Sequence, residues 1–62
     1  MQIELHVRPN VIPEFPDYVT VIDEKKCDGV IMTYIIEVQY IIHPEVTRWM
    51  LNERAIVSYM VL

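Results

Sequence analysis

The sequence predicts a mainly β protein: a small antiparallel sheet of about four strands, with at most one short helix, completed by oligomerisation. Three observations predict it. Residues 2–8 alternate strictly, with Ile3, Leu5 and Val7 on one side and Gln2, Glu4, His6 and Arg8 on the other, the period of a half-buried strand. Eight of the thirteen residues from Val30 to Ile42 are β-branched. Such side chains lose freedom in a helix and suit a pleated surface. Between two β-rich runs stands Asp28-Gly29, a hairpin signal, with Gly29 free to take a positive φ.

The elements follow in order. Pro9 stops the first strand. Pro9, Pro13 and Pro16 then make 9–17 a stiff loop, because proline fits neither a central strand nor a helix interior. Val11, Ile12 and Phe15 are expected to fold back as a lid over one sheet face. The stretch "PEFP" also matches the PxxP pattern of polyproline II ligands, a short motif that is common by chance. Ile12 and Phe15, with Trp49, are the candidate residues for meeting a partner through this loop. "YVTVID" at 18–23 resumes a strand, and a four- or five-residue loop returns it.

The run from Val30 to Ile42 reads as one strand. Val30, Met32, Tyr34, Ile36, Val38, Tyr40 and Ile42 form its apolar face, and Ile31, Thr33, Ile35, Glu37, Gln39, Ile41 and His43 a mixed one. At that length it spans roughly 43 Å, against a diameter of roughly 27 Å for a compact chain of this size. It is too long for its own domain, so the mixed face is expected to double as an assembly surface. Ile31, Ile35, Glu37, Gln39, Ile41 and His43 are the candidate interface. Pro44 ends the strand at a position that permits a helix start, and Val46, Trp49 and Met50 recur at helical spacing. "RAIVSYMVL" is a last strand, expected to be docked in a sheet. A simple meander, 1-2-3-4, is the expected order.

Length sets the problem that oligomerisation solves. Sixty-two residues make one domain, 1–62. A core this small rarely supplies more than roughly 3–5 kcal/mol. With Cys27 the only cysteine, no internal disulfide can help, and a lone thiol fits a reducing compartment. Cys27, His6 and His43 lack the spacing of a zinc site. Yet 53% of the residues are hydrophobic, more than so little interior can hold.

Charge and motifs exclude several functions. Nine acidic and five basic residues give a net charge of −4, and the basic residues are dispersed, which argues against nucleic acid. Glu37 and Gln39 interrupt the longest apolar stretch, and Glu4, His6 and Arg8 break up the beginning of the chain. Neither a membrane span nor a secretory signal is read, so the expected setting is the cytoplasm. Gly29 is the only glycine, which excludes phosphate-cradling loops, and no cofactor is expected. Ser58, the only serine, has no His or Asp near it in sequence, and Cys27 lies between Lys26 and Asp28 as a surface thiol. The chain reads as a non-enzymatic, acidic, homo-oligomeric interaction protein, most simply a dimer, that inhibits or modulates a protein partner by occupying it. Size and composition resemble the small inhibitors that phages and mobile elements encode. One alternative is an oligomer that sequesters a small ligand between protomers through Tyr34, Glu37, Gln39, Tyr40 and His43, with an arginine where the ligand is anionic. Another is a structural subunit of a larger complex.

Overall fold

The computed structural model describes residues 1–39 and 44–62. It is mainly β: four antiparallel strands in one sheet and a single short helix. The elements are β1 (Gln2–Val7), β2 (Val19–Glu24), β3 (Met32–Val38), α1 (Pro44–Asn52) and β4 (Ile56–Val61). The sheet order is β2-β3-β1-β4, not the expected meander. The chain between β1 and β2 carries three prolines and is too long and stiff for a hairpin. β2 therefore pairs with β3 across the short connection, and β1 takes the other side of β3. β1 is antiparallel to both β3 and β4, so the last two run parallel, with α1 in the crossover between them.

The alternation read in β1 is that of a central strand. Ile3, Leu5 and Val7 are fully buried, paired with Ile36, Tyr34 and Met32 of β3. Ile36 and Val38 are fully buried and Tyr34 nearly so, which places the apolar face of β3 inside as expected. Val46 and Met50 of α1 complete this core with Val19 and Ala55, and Trp49 packs against it. Pro44 occupies the first helical position, where its missing N–H costs nothing, and Glu45 suits the positive end of the helix.

β3 is shorter than the sequence suggested. It runs for seven residues, about 23 Å, and fits a molecule whose longest dimension is 31 Å. Val30 and Ile31 belong to the preceding loop, where both donate backbone N–H bonds to Asp28 Oδ1, at 2.9 and 2.8 Å. Gly29 in this loop has φ of 97°. At the other end Gln39 bends away, its N–H bonded to the Tyr18 carbonyl. The expected continuation through Tyr40, Ile41, Ile42 and His43 lies outside the described residues.

The proline loop forms the lid in part. The Phe15 ring meets the Tyr34 ring edge-on at 5.7 Å and lies 5.8 Å from Trp49. Trp49 Nε1 donates to the Glu14 carbonyl at 2.9 Å, tying the loop to α1. Ile12 does not fold back: it is 86% exposed, and Val11 is also exposed. Pro13 is the buried residue of that segment instead.

Candidate functional site

All the layers that cover the sheet lie on one face. The other face, which carries Gln2, Glu4 and His6 of β1, has no element over it among the described residues. Register places its side chains in rows. Thr20, Glu37 and Gln2 form one; Asp23, Ile35, Glu4 and Met60 the next; Thr33, His6 and Ser58 the third. Ile35 thus sits half-buried between the carboxylates of Asp23 and Glu4, with Glu37 two residues further along its own strand. Glu37 Oε1 is 3.3 Å from the Met1 amino group.

Two residues of the candidate interface, Ile35 and Glu37, share this open face. Gln39 is exposed at the bend beyond it, Ile31 is half-buried in the β2–β3 loop, and Ile41 and His43 lie outside the described residues. Of the loop candidates, Phe15 and Trp49 pack on the core, leaving Ile12 outward. Of the residues named for the alternative ligand, Tyr40 and His43 lie outside the described residues, and Tyr34 and Glu37 do not share a face of one protomer. Tyr34 faces the core and Glu37 the open side, so one molecule lying against β3 of a single protomer cannot meet both.

The open face brings together residues that sequence separation hid. His6 and Ser58 are cross-strand partners, and His6 Nδ1 and Ser58 Oγ share a hydrogen bond at 2.9 Å. His6 Nε2 is 3.4 Å from Glu4 Oε2, and Glu4 Oε1 is 4.0 Å from Lys25 Nζ. Serine, histidine and carboxylate in line have the makeup of a nucleophile with its base and orienting acid. As cross-strand neighbours on an open sheet face, the three form a polar network in which each side chain has a partner.

A second uncovered surface is apolar. β4, "IVSYMV", contains no charged residue and forms one edge of the sheet. Val57, Tyr59, Met60, Val61 and Leu62 are each between 41% and 59% exposed, and Leu51 at the end of α1 is 78% exposed. Between α1 and β4 lies a groove lined by Met50, Leu51, Ile56, Val57, Ser58 and Tyr59. The apolar composition of this strand was legible in the sequence. Its place at an edge was expected too, since the meander also ended on it; its neighbour was not, because the meander placed β3, and the structure places β1, at its side.

Comparison of the chain with protein-family models, with curated proteins and with solved structures found no match. Function must therefore be argued from these two surfaces. Among the described residues there is no cluster of three or more His, Cys, Asp or Glu placed to hold a metal ion, and no helix long and apolar enough to cross a membrane.

Proposed function

We propose that the chain is a homo-oligomeric interaction protein that modulates a partner protein by occupying it, with the open sheet face as the contact. The observation that carries this reading is the arrangement around Ile35: an apolar residue ringed by Glu4, Asp23 and Glu37 on a face that no other element covers. The three carboxylates outnumber the cations that answer them, the Met1 amino group at 3.3 Å from Glu37 and Lys25 at 4.0 Å from Glu4, and this acidic excess around a small apolar centre suits a basic protein surface with a complementary apolar anchor. The charges steer encounter and exclude acidic competitors, and the apolar centre is desolvated on contact. A net charge of −4 adds to the steering.

The test is affinity capture from the native host with wild-type protein and with the double variant Asp23→Lys, Glu37→Lys. Both residues are partly or fully exposed, so the fold should survive. The wild type should retain a partner that is released by salt and not bound by the double variant, while Ser58→Ala retains it. Equal capture by the charge-reversed protein would refute the acidic contact. Loss of the effect on Ser58→Ala alone would move the function to the Glu4–His6–Ser58 network.

A further inference from the structure

We infer that two copies of the chain pair β4 with β4 about a twofold axis, antiparallel, to form one continuous eight-stranded sheet. This rests on the homo-oligomeric reading above and assigns it a surface. The ladder shows which backbone groups are available. Leu62 N–H bonds to the Gln2 carbonyl at 2.9 Å, so Gln2 and Leu62 form a hydrogen-bonded pair. Antiparallel alternation then turns the N–H and C=O of Met60 and Ser58 toward Glu4 and His6 of β1. Those of Tyr59 and Val61 point outward from the edge, ready to pair with another strand.

The occupant is a second copy for three reasons. First, β4 carries no proline and no charged residue, the usual protections of an edge strand. Its one irregularity is a register shift at the start of the strand, opposite His6 and Val7, away from Tyr59 and Val61. The opposite edge is protected: β2 ends in Asp23 and Glu24, is followed by Lys25 and Lys26, and has its own irregularity between Val21 and Asp23. One open edge per protomer closes a dimer and leaves nothing to propagate a fibre. Second, an uncharged strand can lie against itself without placing like charges opposite one another, a cost that a charged edge would incur. Third, the surface beside this edge is apolar: Leu51, Val57, Tyr59, Met60, Val61 and Leu62 are each at least 41% exposed, and a second copy of the strand would cover part of each. Directly opposed residues share a face in antiparallel pairing, so Tyr59 and Val61 of both copies meet on the helix side, where the two Leu51 side chains extend the seam.

The experiment is sedimentation velocity and amide hydrogen exchange on the full chain, wild type and three variants. Wild type should sediment at twice the 7.4 kDa chain mass, with the Tyr59 and Val61 amides protected. Val61→Lys should sediment as a folded monomer, because it sets a charge in the seam without touching the β1–β4 hydrogen bonds. Tyr59→Pro should do the same, since the lost N–H serves only the outward edge. Ile35→Asp, on the open face, should remain dimeric. A wild-type dimer that persists in Val61→Lys and Tyr59→Pro overturns β4 pairing while leaving the homo-oligomer intact, and dissociation by Ile35→Asp alone moves the interface to the open face. A wild-type monomer with freely exchanging Tyr59 and Val61 amides overturns self-pairing and the homo-oligomeric reading together, and leaves the edge for a strand of another protein.

Discussion

Asp28 closes the connection between β2 and β3 with one carboxylate oxygen. Oδ1 accepts the N–H groups of both Val30 and Ile31, and the backbone N–H of Asp28 donates to the Ile31 carbonyl at 3.1 Å. These bonds favour the charged carboxylate. Those from Ile31 and Val30 are the main cause holding the Asp28 pKa below its ordinary value of 3.8. The sign follows. A lowered folded-state pKa gives a contribution that is complete above the unfolded value and is lost as pH falls through the lowered one. Followed by NMR, the Val30 and Ile31 amide shifts should therefore titrate with a midpoint under 3.8, and Asp28→Ala should abolish the transition and speed exchange of both amides. A midpoint at or above 3.8 would show that the two bonds do not form in solution. At this scale the turn was legible, because Asp and Gly each announce their local chemistry. The His6–Ser58 bond was not. It joins positions 52 apart, and only the β1–β4 register puts them opposite each other.

Within single elements, alternation separates two isoleucines adjacent in sequence. Ile36 is fully buried against Ile3, and Ile35 is half-buried on the open face. Ile36→Asp places an uncompensated charge in the core and should cost about 4 kcal/mol or more, the whole stability of a chain this size. Circular dichroism should show it unfolded, whereas Ile35→Asp keeps its β spectrum. Folded Ile36→Asp with collapsed Ile35→Asp would reverse the two faces. Tyr34 offers a second test of the core face. Burial first, and the Glu24 carboxylate second, raise its phenol above the ordinary 10.0. A raised folded pKa means that stability is intact below pH 10 and declines as pH rises beyond it. Tyr34→Phe removes the ionisable group and should resist alkaline unfolding better than wild type. Identical alkaline denaturation curves would place the Tyr34 hydroxyl in water. The faces of β1 and β3 and the apolar stripe of α1 were legible because periodicity records which side is dry. The end of β3 was not. Val30 and Ile31 continue the apolar pattern, yet their N–H groups go to Asp28, and side-chain type does not report where a backbone donor is spent.

For the whole molecule, strand order decides which surfaces remain for partners. Composition announced surplus apolar surface but located it on the mixed face of β3. The observed order keeps β4 at an edge, as a meander would, but moves β1 inside and sets β2 at the other edge. Order escapes a sequence reading because β1 could pair with any strand of matching period, and the choice rests on how far the proline loop reaches. Stability should reflect the same arrangement. The covered core is thin, with ten buried apolar residues among those described, so the β4 seam should contribute measurably to folding. For a dimer that unfolds to two chains, each tenfold rise in protein concentration adds about 1.4 kcal/mol per dimer to the unfolding free energy. Thermal melts across a hundredfold concentration range should therefore rise by several degrees for wild type. Val61→Lys should melt lower and independently of concentration, because its folded protomer stands alone. A wild-type melting temperature that does not move with concentration would mean that the thin core suffices by itself, and that the exposed edge does not contribute to the stability of the fold.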